Sequence, residues 1–335
     1  MGNAQSYVVS SLSVCCVYLV YVHIYSSYKL LNTHVLFEER LPSSLFLYIK
    51  YLTKAVARRK GYLHTETTSQ PEVVYTAADP PVEEFLRRCR LWLGLSGLGL
   101  PGCPLCFPEY LCRRLLLMLI TDQHFRICPA GLVCVRQSVK TMQPVDELKK
   151  GPFTLQAQVL TYRTLDAGVE VDVCLSAASR TGSPVWESVL TLLSRNKTHK
   201  TCWNSPERED TCPPDECVAE NVKQVQVKVS RMTGLRSVWF FSPLRLFGCR
   251  SIVAPSLWIL SICMAEIEKH KGVGVVTAPV KVSADFKDPL LIPGRVTISF
   301  WETTGNESKF PPNGVGFNMQ QHGRNTSHVT GFISR

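Results

Sequence analysis

Moving a proton between carbon and water takes an acid and a base within reach of each other, and neighbouring Asp and His residues are common suppliers. In this chain the close pair of that kind is Asp122 and His124, in "TDQHF". Both follow the apolar run "FPEYLCRRLLLMLI", so they fall at the end of a helix, where cap and surface roles account for them. His270 likewise closes a helical stretch, where a cation suits the C-terminal dipole. His322 and His328 belong to the last segment, where no motif gives them a role. Cys103-Pro-Leu-Cys106 is a CxxC with Cys112 behind it, but a zinc site needs a fourth ligand at matching spacing. The pattern offers none, so no metal is expected. The fourteen cysteines read as isolated thiols, in keeping with a reducing compartment.

The most informative stretch lies later: "TGLRSVWFFSPLRLFGCRSIVAPSLWIL", residues 233–260. It runs from a polar turn through aromatic residues to a helix start at Pro255-Ser256. From Thr233 to Ala265 there is no Asp, no Glu and no His. A segment built like a site therefore lacks the groups that transfer protons.

The elements around these residues follow two periods. Residues 107–125 form an apolar run of helical length, and "SLWILSICMAEIEKH" (256–270) carries Leu257, Leu260, Met264 and Ile267 at helical steps. Alternation of period two marks strands in 131–144, 153–166, 168–180 and 184–195, and again in 221–230, 280–294, 295–304 and 328–335. One helix followed by several strands thus occurs twice, which predicts an α+β chain of two similar units side by side. Residues 82–95 read as a further helix and "SQPEVVYTAADPP" (69–81) as a turn-rich linker. The polar, Pro-bearing residues 197–220 read as an interdomain loop.

Composition sets the outer bounds. A chain of 335 residues with 45% hydrophobic and 19% charged residues is folded and long enough for two domains. The net charge of +10 favours acidic partners, but the basic residues are scattered and no nucleic-acid module accompanies them. Nucleic acid is therefore not expected. The triplets at Asn196, Asn306 and Asn325 match the glycosylation pattern but arise easily by chance.

Residues 1–28 carry no Lys, Arg, Asp or Glu, and "YVVSSLSVCCVYLVYVHIY" is mostly apolar, so residues 1–28 are read as a membrane anchor. Lys29, Lys50, Lys54, Arg58, Arg59 and Lys60 follow it. They put the bulk of the chain on the cytosolic side of an intracellular membrane such as the endoplasmic reticulum. "MGNAQS" also fits the myristoylation pattern, and a spanning segment is preferred over the lipid. Residues 29–100 are expected to form an amphipathic and linker region on that membrane.

The order "TGLR…SPLRLFG…RSIVA-x-x-LW…AEIE", followed by "DFKDPLLIPGRVTISFWE", resembles the MaoC-like acyl dehydratases, which include the (R)-specific enoyl-CoA hydratases. "FPEYLCRRLLLMLITDQHF" with "GLVCVRQSV" is similar to the helix and first strand of the non-catalytic half in such proteins. The resemblance covers roughly residues 105–335, apart from the 197–220 loop. It implies a double hotdog, two units each with a helix wrapped by an antiparallel sheet. Residues 101–196 would be the non-catalytic hotdog and 221–335 the MaoC-like one. It further implies an acyl-CoA or acyl carrier protein thioester as partner, no cofactor, and hotdog pairing that a dimer or the two units of one chain would satisfy.

In that family the loop after TGLR carries "GDYNPIH", whose Asp and His activate a water, and "AHGMW" supplies a backbone N–H to the thioester carbonyl. Here Thr233-Gly-Leu-Arg236 runs through Ser237-Val-Trp-Phe-Phe241 straight into Ser242-Pro-Leu-Arg245, so neither the Asp nor the His has a counterpart. Ala254-Pro255-Ser256-Leu257-Trp258 stands in place of "AHGMW". No catalytic residue is assigned. Ser256 and Trp258 are carried over to the substrate, together with Arg236 for phosphate and Trp239 and Phe241 for the acyl chain. Plain core is the competing role for the aromatics, and solvated surface for Arg236, Arg245 and Arg250. An in-frame transcript deletion would also leave the gap, but Pro255 and Ser256 lie outside it. Two readings stand: a hydratase or dehydratase by descent with its proton-transfer pair missing, or a non-catalytic acyl-CoA-binding or partner hotdog at a membrane.

Overall fold

A computed structural model describes residues 11–18, 21–25, 27–28, 35–37, 41–64, 70–77, 86–87, 105–196, 222–229, 252–303, 314–321 and 327–335. Its two central helices are α2 (Phe107–Thr121) and α3 (Ser256–Lys271), preceded by α1 (Ser44–Ala57). On α2, Phe107, Cys112, Leu115 and Leu119 recur on one face and are fully buried. On α3 the burial extends well beyond the expected stripe. Trp258, Ile259, Ile262 and Cys263 are buried along with Leu257, Leu260, Met264 and Ile267. A helix that is apolar on every side sits inside the protein, and α3 ends where Gly272 adopts φ 86°.

The strands are β1 (Val35–Phe37), β2 (Glu72–Ala77), β3 (Leu132–Thr141), β4 (Phe153–Leu165), β5 (Gly168–Ala178), β6 (Pro184–Arg195), β7 (Lys223–Val229), β8 (Ile252–Val253), β9 (Val280–Phe286), β10 (Leu291–Ile292), β11 (Gly294–Glu302), β12 (Val315–Gln321) and β13 (Ser327–Ser334). Eleven of them make one sheet in the order β1-β2-β4-β5-β6-β3-β9-β13-β12-β11-β7. All pairs in it are antiparallel except β1 with β2. On β4 the alternation expected from sequence is plain, with Phe153, Leu155, Ala157 and Val159 buried in turn.

The first unit is β2-β4-β5-β6-β3 around α2, and the second is β9-β13-β12-β11-β7 around α3. They join edge to edge through β3 and β9, from Arg136 opposite Asp285 to Thr141 opposite Val280. The buried Thr141 hydroxyl closes the seam: Oγ1 donates to the Val280 carbonyl at 3.3 Å or accepts from its N–H at 3.2 Å. This is the double-hotdog plan expected from the sequence, two helix-and-sheet units sharing one continuous sheet.

The structure changes three sequence readings. Residues 69–81, expected as a linker, supply β2, which pairs with β4 from Glu72 opposite Gln158 to Ala77 opposite Phe153. The flanking prolines mark turns and hid the β-type "EVVYTA" between them. The amphipathic stretch expected on a membrane surface contains α1, which packs on α2 instead, with Leu47 buried against Met118. Lys54 Nζ donates to the carbonyls of Ile120, Asp122 and Phe125, and Arg58 to those of Gln123 and Phe125. These two cations thus serve the C-terminal end of α2, where helix carbonyls lack partners. Finally, β12 was not expected, because its glycines and amides obscure the alternation. Of the helix expected over 82–95 the described part is Leu86 and Arg87, with Leu86 buried.

Among the described residues no helix is long and apolar enough to cross a membrane. Residues 11–18 are helical and Tyr21–Tyr25 is a π-helical turn, with Leu12, Val14, Val17, Tyr18, Tyr21 and Tyr25 exposed. The sequence-based expectation of a spanning anchor therefore has no support in the described part of residues 1–28.

Candidate functional site

The start of α3 is held by local structure. Strand β8 pairs with β10, and the Ala254 N–H donates to the Leu290 carbonyl at 2.9 Å. Pro255 is the N-cap, with φ −66° and ψ 146°, and the first helical bond runs from the Ile259 N–H to the Pro255 carbonyl at 3.1 Å. Among the described residues no side chain caps this end, and its first turn has no acidic residue. Among the described residues the N–H groups of Ser256, Leu257 and Trp258 have no hydrogen-bond partner. Unfilled donors at the positive end of a helix are a place for an oxygen that carries negative charge.

That end opens on a cavity of about 290 Å³ between the two units. Ala254, Pro255, Ser256 and Leu257 line it from the second unit, with Phe286, Pro289 and Leu290. The first unit contributes Leu116, Leu117 and Ile120 of α2 and Leu132 to Cys134 of β3, and α1 adds Tyr48 and Tyr51. The wall is mainly apolar and the volume is at the small end of ligand-sized cavities, about 300–1,000 Å³. Arg113 and Arg114 also line it, with Arg114 exposed and the Arg113 guanidinium 4.9 Å from the Tyr110 ring centre. Burial pushes the Tyr48 hydroxyl up to about 12, against the pull of the Arg113 charge.

One acid reaches the same space from inside the protein. Glu109, on the first turn of α2, is 5% exposed and lines the cavity. Its Oε2 accepts from the Gln137 amide at 2.5 Å, and the Ser188 hydroxyl is 3.5 Å away. Gln137 and Ser188 are themselves fully buried on β3 and β6. Burial pushes the Glu109 carboxyl up to about 8 even though both of these hydrogen bonds pull it down. Around neutral pH the group is therefore largely protonated. The Cys134 thiol, also in the wall, donates to the Arg136 carbonyl on its own strand at 3.4 Å.

Of the residues carried over from the resemblance, Ser256 lies in the cavity wall. Trp258, in contrast, is 1% exposed in the core and is not part of the wall. Arg236, Trp239 and Phe241 lie outside the described residues, as do Arg245, Arg250, His322 and Cys103. Asp122 and His124 keep to the end of α2: Asp122 Oδ1 accepts from the His124 N–H at 2.8 Å and lies 3.0 Å from its Nδ1. His270 stacks on Phe300 with ring centres 5.8 Å apart. His328 is buried on β13, its Nδ1 3.1 Å from the carbonyl oxygen of Asp288, a residue of the cavity wall. Cys106 and Cys112 are buried free thiols, and among the described residues no group of three or more His, Cys, Asp or Glu could hold a metal ion.

Sequence reasoning missed Glu109, Arg113 and Arg114. An acid in the first turn of a helix reads as a partner of the dipole, which explains it without burial. The available signal was spacing: Glu109, Cys112, Leu116 and Ile120 fall three and four apart, so Glu109 shares a face with residues that turn inward.

No protein-family model matches the sequence, and no curated protein matches it. Solved structures do. HtdX of Mycobacterium tuberculosis superposes with a TM-score of 0.54 at 15% identity, covering 78% of this chain and 98% of that one. A MaoC-like dehydratase from Phytophthora capsici gives 0.53 at 15% identity over 79% and 95% of the two chains. A further MaoC-like dehydratase gives 0.54 at 11% identity, covering 78% and 97%. The chain has the fold of the MaoC-like dehydratases. At these identities the likeness is one of architecture, and the MaoC-like fold extends over nearly the full length of the compared structures.

Proposed function

We propose that the chain is an acyl-thioester-binding protein descended from hydratases and dehydratases of the MaoC-like fold, with their water-activating Asp/His pair missing. The observation that carries this reading is the mainly apolar cavity that ends on the uncapped N-terminus of α3. The apolar wall suits an acyl chain. The free N–H groups of Ser256 and its neighbours suit a thioester carbonyl, whose oxygen becomes more negative as enolate character develops. Arg113 and Arg114 suit the phosphates of a coenzyme A carrier. Against catalysis by the family's route stands the sequence itself, with no acid or His from Thr233 to Ala265.

The test has two arms on the purified chain. Medium-chain acyl-CoA is expected to raise the melting temperature in a concentration-dependent way. Hydration of a medium-chain trans-enoyl-CoA is expected to stay at background, beside an active MaoC-like enzyme as control. Absence of a shift across acyl lengths would sink the binding reading, and robust turnover would show that another acid–base pair does the work.

We also infer that the helical residues 11–18 and the turn Tyr21–Tyr25 rest on a membrane surface. The support is the uncharged sequence together with the exposed row from Leu12 to Tyr25. Flotation with neutral phospholipid vesicles, lost when Leu12, Val14 and Val17 are changed to Ser, is the expected result. Flotation unchanged by those substitutions would refute it.

A further inference from the structure

Helix α1 has two faces, and its packing on α2 uses only one of them. Leu47, Lys54 and Arg58 turn to α2, while Ser44, Tyr48 and Tyr51 line the cavity. On the opposite side Leu45, Ile49, Leu52 and Val56 follow one another at steps of four, three and four, which gathers them into a single stripe. Leu45 and Ile49 are exposed, Leu52 is half-buried, and Val56 is 89% exposed. Just past the helix, Tyr62 and Leu63 are exposed as well. A row of exposed apolar side chains on one helix face marks a surface that meets a partner.

Charge selects that partner. Residues 41–64 hold five Lys or Arg and no Asp or Glu. Lys54 and Arg58 are taken up by the carbonyls at the end of α2, whereas Arg59 and Lys60 are exposed. The Arg59 guanidinium lies 5.7 Å from the Tyr62 ring centre. An apolar stripe flanked by cations and a tyrosine suits the surface of a bilayer with anionic headgroups. The stripe is also continuous with the exposed, uncharged N-terminal row, because the buried Ser27 hydroxyl accepts from the Ser43 N–H at 2.9 Å at the start of α1. A second copy of the chain fits less well. It would bring two such acid-free segments together with no carboxylate in either to offset the cations.

We propose that the outer face of α1, with Arg59 and Lys60 at its end, docks on the surface of an anionic phospholipid bilayer. The proposal rests on the membrane reading of residues 11–18 and Tyr21–Tyr25 given above and deepens it, naming the lipid class and a second contact surface. Because α1 also lines the cavity, the docked bilayer lies one helix away from the site proposed for the acyl thioester.

The experiment is flotation of the full chain with vesicles of phosphatidylcholine alone and of equal parts phosphatidylcholine and phosphatidylserine. Partitioning onto the anionic vesicles is expected to exceed that onto the neutral ones by about tenfold or more, with the excess shrinking as salt is raised. Arg59→Ser combined with Lys60→Ser should remove most of the excess and leave neutral partitioning unchanged, since a cation near such a surface is worth about fivefold. Val56→Ser should weaken partitioning onto both kinds of vesicle. All three side chains are exposed, and an unchanged circular dichroism melt is the folding control. Equal partitioning onto both vesicles, an excess that survives the double substitution, or no effect of Val56→Ser would overturn the assignment to α1 and leave the membrane reading intact. No partitioning onto either vesicle, with the chain paired to a second copy in solution or not, would overturn both.

Discussion

Glu109 is the residue at which burial, hydrogen bonding and protonation meet. Its carboxyl sits at about 8 in the folded chain, against an ordinary value near 4.5, and burial is the main cause. The thiols near it, Cys106 at the N-cap of the same helix, Cys112 within that helix and Cys134 on β3, are all pushed upward by burial, so they stay neutral through this range. Between the two Glu109 values the folded chain holds a proton that the unfolded chain has released. Its contribution is thus fully present below about pH 4.5 and is lost as pH rises through about 8. A shift of this size corresponds to roughly 3–5 kcal/mol. Glu109→Gln keeps the shape and cannot ionise, so it removes this loss. In urea titrations at acid and alkaline pH, the wild-type chain should lose stability relative to Glu109→Gln as pH rises. Parallel pH profiles for the two proteins would show that Glu109 is ionised at neutral pH after all.

At the scale of elements, α1 acts as a brace on α2. Lys54 and Arg58 reach past the end of their own helix to carbonyls between Ile120 and Phe125, where α2 has run out of internal donors. Burial pushes the Lys54 ammonium down to about 7, with the Arg58 charge adding to the effect. Lys54→Met preserves the stem and removes the donors, so it should cost about 1–3 kcal/mol, read from the urea midpoint. A midpoint unchanged within error would mean that water satisfies these carbonyls as well as Lys54 does. Such a brace is invisible in the sequence, since Lys54 and Phe125 are far apart in the chain and a basic helix after an uncharged run reads as a membrane flank. The strands were easier. Period-two alternation marks β6 to the residue, because one of its faces is buried throughout. Strand β12 escaped because Gly316 stands where a Cβ would strike Trp301, and Gly331 on β13 where one would strike Phe317. Glycine there makes room for a neighbour's ring, and that reason resides in another strand. The site divides in the same way. The start of α3 was legible because Pro255 and the apolar run after it are local. Glu109 was not, because Gln137 and Ser188, which bury it, come from β3 and β6.

At the scale of the whole molecule, the two units are two by topology but one by packing. A single apolar core runs from Phe107, Leu115 and Trp186 in the first unit to Trp258, Phe300 and Phe317 in the second. The sheet is continuous across the β3–β9 seam, so hotdog pairing is met within one chain and the cavity lies where the units meet. Separating them would expose two strand edges and the walls of the cavity together, a cost that favours unfolding in one step. The chain is therefore expected to lose both units in a single transition. Trp186 reports on the first unit and Trp258 on the second, both almost fully buried, so the fluorescence difference between the wild-type chain and Trp186→Phe or Trp258→Phe isolates each against the chain's four other tryptophans. Urea curves from the two variants should coincide in shape with the circular dichroism of the same samples. Thr141→Val sharpens the test, since it removes the hydroxyl that serves the Val280 N–H and carbonyl at the seam. It should lower stability by about 1–2 kcal/mol and move both reporters by the same amount. If instead only one reporter moved, or the curves separated into two steps, the units would be independent domains, and a cavity between them would open and close as they parted.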